Sequence, residues 1–386
     1  MDTPIPFGRP QIDEAEIEAA VAVLRSGILV HGPVTHDFER AFAARLGVAE
    51  AVAVSSCTAG LHLALFVHGI GPGRRVAVPA MTHVATAHVV ELQGATPVFV
   101  DVDPETGNMD PDALAQAAAE GPLAAILPVH YLGLPCDMDR ILPIAEKAGA
   151  LVIEDCALAL DATFGGRKAG GLGTCGSFSF YPVKHMTSIE GGMVTTDDPD
   201  LAATLRKRRA FGYNRQLGER ARPGLYDVDA LGFNYRMSEV EAAVGLAQLA
   251  KLDASLAARA RNHALIAERL ATIPGATIFP DRHGKAVSSH YCINLVLPRS
   301  GAISRDAVQD ALKSMGIGTS IHYPGAVPLF TYYREKYGYR PGQFPVAEWL
   351  AAQTISLPVA AHVSAADAER IGDAAIAAVR SAIAGT

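Results

Sequence analysis

The stretch LAAILPVHYLGLPCDMDRILPIAEKAGALVIED (123–155) reads as strand, helix, strand. Its first run, LAAILPV (123–129), and its last, ALVIED (150–155), are apolar without alternation, and a helical segment closing at Gly149 joins them. Strands apolar on both faces are covered on both faces, so two of them joined by a helix predict a parallel pair inside a helix-covered sheet. The same rhythm extends upstream. AVAV (51–54), RVAVP (75–79) and PVFVD (97–101) are further short strands, with helices over Ala59–His68 and up to Gln93 between them. Asp110-Pro111 opens another helix with proline in the first position. Residues 13–26 form an amphipathic helix that starts on an Asp13/Glu16 capping box and stops at Gly27. A second helix covers Thr35–Leu46, with Phe38 and Phe42 facing inward.

After Asp155 the pattern changes. SFSFY (177–181) and MVTT (193–196) are strands joined by a lysine-containing loop, and Ser238-x-x-Glu241 caps one long helix to about Leu270. The remainder mixes CINLVL (292–297) with helices near 304–315 and 364–384. The expectation is an α/β protein: a large domain over residues 1–250 around a mostly parallel sheet, and a smaller α+β domain over 251–386.

Composition agrees with a large buried interior. Of 386 residues, 49% are AVILMFWYC and 19% are charged, against about 25% charged in an average protein. Some surface is expected to be hidden in an oligomer. The net charge of −7 (33 basic against 40 acidic residues) argues against bulk nucleic-acid binding. No apolar run reaches the roughly 18 residues of a membrane span, and MDTPIPFGRPQIDEAE lacks the basic and apolar regions of a secretory signal. The five cysteines are odd in number and contain no CxxC, as expected for reduced thiols in the cytoplasm.

In an open α/β sheet, ligands bind beyond the carboxyl ends of the strands. Three places qualify. Ser55-Ser56-Cys57-Thr58-Ala59 hands a strand to a helix start, which suits an anion such as phosphate, although a plain helix cap explains the same residues. Asp155 ends an apolar strand and needs a partner there, either a pyridinium N–H or the partners of an ordinary salt bridge or helix cap. Lys184, in SFSFYPVKHMTSIEGGMV, is either an ordinary surface lysine or, near a buried acid and an anion nest, a Schiff-base lysine. Gly171-Leu-Gly173-Thr-Cys-Gly176 matches the dinucleotide fingerprint literally, yet it precedes a strand rather than opening a helix, so no nicotinamide cofactor is expected. The 13 histidines show no metal-ligand spacing.

Taken together, SSCTAGLHLAL, VIEDCALAL, SFSFYPVKHMTSIEGGMVTTDD and LGFNYRMSEVEAAVGLAQL, with IHYP and TISLP, make the chain resemble the DegT/DnrJ/EryC1/StrS family over nearly its whole length. The resemblance implies a fold-type I, pyridoxal 5'-phosphate (PLP) dependent transferase with a seven-stranded, mostly parallel sheet in the large domain. It implies an aminotransferase acting on a nucleotide-linked 3- or 4-keto-deoxysugar, with glutamate or glutamine as donor. By the same resemblance, Lys184 makes the covalent link to PLP and Asp155 pairs with the pyridine nitrogen. Thr58, Ala59 and Ser179 hold the phosphate, and His83 stacks on the ring. Asn234 reaches the phosphate of the neighbouring subunit, which implies a homodimer with shared sites. His322, Tyr323 and Arg236 are the candidate substrate residues.

Two positions depart from the family pattern. Leu158 stands where Gln or His is usual, and Ile189 replaces a glycine in the lysine loop. The basic run Arg206-Lys207-Arg208-Arg209, with Arg215 beyond it, faces either a nucleotide diphosphate or solvent. Three other functions share these motifs: a keto-cyclitol aminotransferase, a sugar dehydratase using His185 beside the lysine, and a non-enzymatic PLP-binding regulator.

Overall fold

The computed structural model describes residues 3–214, 222, 225–299 and 303–384. Helix α1 (Glu14–Ser26) begins on the expected capping box: Ala15 N–H donates to Asp13 at 3.0 Å, and Asp13 N–H donates to Glu16 at 2.9 Å. Gly27, left-handed at φ 71°, ends it. Helix α2 (Pro33–Leu46) starts two residues earlier than expected, because Pro33 occupies the first turn. The amides of Val34 and Thr35 there donate to the distant Glu239 carboxylate at 2.8 and 3.3 Å.

The strand–helix rhythm then runs as β1 (Glu50–Val54), α3 (Cys57–Val67), β2 (Arg75–Pro79), α4 (Val84–Leu92) and β3 (Thr96–Val100). It continues through α5 (Pro111–Ala119), β4 (Ala125–Ile126), α6 (Met138–Ala148) and β5 (Leu151–Asp155). A small hairpin, β6 (Thr163–Phe164) and β7 (Arg167–Lys168), leads to β8 (Cys175–Ser179) and β9 (Gly192–Thr196). These strands build a seven-stranded sheet in the order β1-β9-β8-β5-β4-β2-β3. All its pairings are parallel except those of β9, which runs antiparallel to both neighbours. The carboxyl ends of β1, β2, β5 and β8 therefore share one edge, where the segments 55–59, 80–86, 155–158 and 180–191 emerge.

Strand β4 is shorter than the expected 123–129 because Pro128 has no N–H to give the ladder. Contact resumes only as a bridge between Val129 and Asp155. After α7 (Pro199–Arg208), the single helix expected to run to Leu270 is two, α8 (Glu239–Ala250) and α9 (Leu252–Leu270). No glycine or proline marks the break. Lys251 leaves helical angles (φ −101°, ψ 1°), and its ammonium pairs with Asp13 at 2.8 Å and Glu16 at 2.6 Å.

The rest of the chain adds β10 (Thr277–Ile278), β11 (Arg282–His283), β12 (Ala286–Val287) and β13 (Ile293–Val296). It closes with α10 (Arg305–Ser314), α11 (Thr331–Tyr337), α12 (Pro345–Gln353), β14 (Thr354–Leu357) and α13 (Ala365–Ala384). The antiparallel sheet β10-β13-β14 forms a second core with α9, α10 and α13 through Leu270, Leu295, Leu312, Ile355 and Ile371, all fully buried. Burying each such side chain contributes about 1.5–3 kcal/mol. Strand β12 pairs with β6, which ties this C-terminal part to the hairpin beside β5. Among the described residues no helix is long and apolar enough to cross a membrane.

Candidate active site

Successive side chains of a strand point to opposite faces, and at the end of β5 this separates two buried acids. Asp155, 4% exposed, accepts the Thr86 hydroxyl at 2.8 Å and the Ala157 N–H at 3.0 Å, with the Cys57 sulfur 3.9 Å away. Among the described residues no cation forms an ion pair with it. Its neighbour Glu154 turns to the other face. There it accepts the N–H groups of Gly170 (2.9 Å), Leu172 (2.8 Å) and Gly173 (2.8 Å), and Nε2 of His130 at 2.8 Å. Burial would push Glu154 upward, yet these donors hold it below the usual carboxylate range.

Backbone N–H groups at the start of the false dinucleotide motif, Gly173 among them, thus cradle a carboxylate of this chain. Strand packing needs them too: a Cβ on Gly173 would lie 2.6 Å from the carbonyl oxygen of Val152. His130, Glu154 and Cys156 lie close enough together to suggest a metal triad. Glu154 is already saturated with donors, however, and His130 Nδ1 accepts the Cys136 N–H at 3.1 Å. The cluster is structural.

Opposite Asp155, α3 starts on Ser56, whose hydroxyl accepts the Ala59 N–H at 3.0 Å. Thr58 lies half-buried in this first turn. The turn seats directly on β9, and only glycine fits at Gly192, where a Cβ would come within 2.5 Å of the Cys57 nitrogen. Burial and the Asp155 charge push the Cys57 thiol far up, so it stays protonated. Ser179 ends β8 half-buried, its hydroxyl accepting the Tyr181 N–H at 3.4 Å.

Lys184 lies on the loop between β8 and β9. The loop is held by Ser188 N–H and the Thr187 hydroxyl, both donating to the Phe180 carbonyl at 3.0 and 2.9 Å. Lys184 Nζ stands over the Tyr291 ring, 5.0 Å from its centre. Burial lowers the pKa of the amine; Cys57, Asp155 and Cys292 pull it up, and the nearby Arg259 pushes it down. Ile189 in the same loop has φ 74°, the left-handed conformation that a glycine would adopt without strain. His185 is buried with Nε2 at 3.0 Å from the Ser289 carbonyl, and its own carbonyl takes the Ser255 hydroxyl at 3.2 Å. Burial, then Arg259, drives its pKa well down. Within the chain it packs inside the fold, held by these two bonds.

The structure brings further expected residues to this edge. His83 caps α4, accepting the Ala85 N–H at 3.2 Å. Partial burial lowers its pKa, and it feels the charges of both Asp155 and Lys184. Tyr323 is half-buried with its ring 6.1 Å from His83, and His322 packs beside it at 5.3 Å. Leu158 is 2% exposed and belongs to the main core, so it contributes packing where a polar side chain was usual.

Other residues do not join this group within the chain. Asn234 is exposed and bridges Ala210, although the next residue, Tyr235, accepts the Ser55 N–H at 2.8 Å. Arg236 lies over the Phe211 ring, 4.9 Å from its centre, and burial lowers its pKa. Within the chain the basic run is half-buried and engaged in internal contacts. Arg206 pairs with Glu50 at 2.7 Å, Arg209 with Glu39 at 2.5 Å, Lys207 with Asp229 at 2.5 Å, and Arg208 bonds the Leu231 carbonyl at 2.6 Å. Arg215 lies outside the described residues.

Sequence reading missed Thr86, Tyr291 and Arg259. Arg259 shares a helical face with Asn262 and Ile266, and only the fold reveals that all three are buried.

The arrangement fits PLP. A buried carboxylate with only neutral donors suits a pyridinium N–H, and a half-buried amine of lowered pKa suits the covalent link. The capped start of α3 suits a phosphate.

Comparison with known proteins agrees. DesI, solved with its TDP-sugar product, is 36% identical, with a TM-score of 0.87 over 100% of this chain and 95% of that one. DesV from S. venezuelae is 33% identical, with a TM-score of 0.88 over 97% and 98%. Spr1654 from Streptococcus pneumoniae, solved in its PLP form, is 29% identical, with a TM-score of 0.91 over 98% and 99%. The DegT/DnrJ/EryC1/StrS aminotransferase family model matches residues 10–375, and the chain belongs to that family of PLP-dependent aminotransferases.

Proposed function

We propose that this protein transfers an amino group from glutamate or glutamine to a nucleotide-linked 3- or 4-keto-deoxysugar. The observation that carries the reading is a Lys184 amine of lowered pKa placed near enough to the buried Asp155 carboxylate to feel its charge. DesI, whose TDP-sugar product is named with its structure, supports the substrate class.

PLP bound here supplies an electron sink for the carbon next to the transferred nitrogen. Lys184 carries a proton between the donor's α-carbon and C4′ of the cofactor, acting as base and then acid. Asp155, fixed by Thr86 and Ala157, keeps the proton on the pyridine nitrogen. Thr58, Ala59 and Ser179 bind the phosphate, and His83 stacks on the ring. His322 and Tyr323 contact the sugar.

The active unit is a homodimer in which Asn234, exposed in one chain, reaches the neighbour's phosphate and Arg236 its substrate. Exposed apolar side chains such as Ile28, Leu29, Leu225 and Leu231 fit a face covered by that partner. Five buried, unpaired cysteines fit a cytoplasmic protein.

The test is a panel of TDP-, UDP- and GDP-linked 3-keto and 4-keto sugars, with a keto-cyclitol alongside and glutamate or glutamine as donor. Amination of a nucleotide-linked sugar is expected. Turnover of the keto-cyclitol alone would overturn the substrate class. For shared sites, mixing Lys184→Ala and Asn234→Ala subunits is expected to restore part of the activity; verified mixed dimers without recovery would contradict them.

A further inference from the structure

His322 is closed into a ring of four residues whose hydrogen bonds have only one possible direction. Its carbonyl oxygen can only accept, so the Tyr131 hydroxyl donates to it. The Tyr131 oxygen then accepts from Asn294 Nδ2 at 2.9 Å, which orients that amide. Asn294 Oδ1 accepts the Ser356 hydroxyl at 2.7 Å. Ser356 has now given its one proton, so toward His322 Nδ1, at 2.9 Å, its oxygen must accept. Nδ1 therefore carries a proton. Running the circuit backward fails at once, because a carbonyl has no proton to give.

The circuit is sheltered. Tyr131 and Asn294 are 1% exposed, Ser356 is 0% and His322 is 9%. Burial, with the charges of Lys184 and His83, lowers the His322 pKa to about 3, so the ring is neutral. A neutral imidazole protonated at Nδ1 has a bare lone pair on Nε2. Among the described residues no donor reaches that nitrogen. The ring lies 5.4 Å from the Tyr291 ring, which also carries Lys184 Nζ at 5.0 Å.

We infer that Tyr131, Asn294 and Ser356 are positioning residues that lock His322 as its Nδ1–H tautomer and present Nε2 to the Lys184 cleft as a hydrogen-bond acceptor. The matching substrate group is an O–H or N–H donor, as on a sugar hydroxyl. In this protonation state His322 accepts a hydrogen bond and cannot donate one from Nε2. The substrate half of the inference rests on the function proposed above, whereas the tautomer does not.

The experiment is nitrogen NMR of holoenzyme labelled with [15N]histidine, with the His322 signals identified by their loss in His322→Gln. At neutral pH, Nδ1 is expected in the protonated range and Nε2 in the bare range. A protonated Nε2, or averaged shifts, would overturn the inference. In Ser356→Ala the acceptor for Nδ1–H is gone. The two shifts are expected to move toward each other, and KM for the keto sugar to rise about tenfold, the effect of losing one well-placed hydrogen bond. The cofactor's absorbance is expected to stay as in the parent. Unchanged shifts and KM in that variant would remove the positioning role. If Ser356→Ala does not fold, Tyr131→Phe, which releases the Asn294 amide, gives the same readout. Conversion of the cofactor to its amine form by glutamate, measured without sugar, tests the aminotransferase reading separately: its failure would overturn that reading and leave the tautomer result standing.

Discussion

Arg259 Nη2 donates to the carbonyl oxygen of Lys184 at 3.0 Å, while Nη1 of the same guanidinium donates to Tyr291 at 2.8 Å. The cation is 2% exposed, and among the described residues it has no carboxylate partner. Burial lowers even its own pKa to about 10. One side chain of α9 thus pins the backbone of the lysine, holds the segment whose ring lies under the amine, and sets a positive charge against that amine.

Replacing Arg259 by Met leaves two buried carbonyls unpaired, at a cost of about 2–3 kcal/mol. It also removes a cation that disfavours the ammonium form of Lys184. The pKa of the amine should rise, and the acid limb of the kcat/KM profile should move to higher pH. A destabilised variant with an unmoved acid limb would reduce Arg259 to a packing role.

The basic run predicts a stability effect without a substrate effect. Burial would raise the Glu39 pKa, yet the Arg209 guanidinium, His36, the Ala53 N–H and Arg206 hold it at about 2. This contribution is full above the ordinary value of 4.5 and fades as pH falls toward 2. Arg209→Ala should lose about 3 kcal/mol at neutral pH by stranding a buried carboxylate, read by urea denaturation. KM for the keto sugar should stay unchanged. A raised KM at unchanged stability would return the run to the substrate.

Glu154→Gln tests the glycine cradle. An amide oxygen can serve part of the cradle, but its NH2 group faces donors where the carboxylate accepted. A loss of about 1–3 kcal/mol is expected, with Asp155 and the cofactor spectrum intact. Unchanged stability would show that the three loop N–H groups find other partners.

Acid should weaken the fold through His322. In the unfolded chain it titrates near 6.5 and in the folded chain near 3, so between these values the unfolded state binds more protons and stability falls as pH drops. By about pH 4 this single residue accounts for on the order of 3 kcal/mol. His322→Gln should therefore flatten the acid slope of stability between these values. An identical slope would mean that His322 does not stay neutral in the fold.

Much of the fold was legible because apolar runs and helix caps are local. The capping box at Asp13 and Glu16 and the strands at 51–54, 75–79 and 150–155 stand where the pattern puts them. The misses have tertiary causes. Strand β4 ends where Pro128 cannot donate, and the helix break at Lys251 depends on acids more than 200 residues away. The site divides in the same way. Lys184, Asp155 and the 55–59 segment sit at strand ends, where position alone marks them. Thr86 and Arg259 carry no local mark of the groups they hold, and the partner of the 206–209 run, Glu39, lies in another helix. The glycine that the family resemblance implies at position 189 has a conformational meaning, visible here as the positive φ of Ile189.

The central claim is that Lys184 is the residue that holds PLP and moves the proton. Borohydride reduction of the purified holoenzyme, followed by peptide mapping, should leave the reduced cofactor attached at Lys184. In Lys184→Ala the reducible yellow chromophore and the turnover should both be lost. A cofactor fixed at another lysine, or full turnover in Lys184→Ala, would contradict the account.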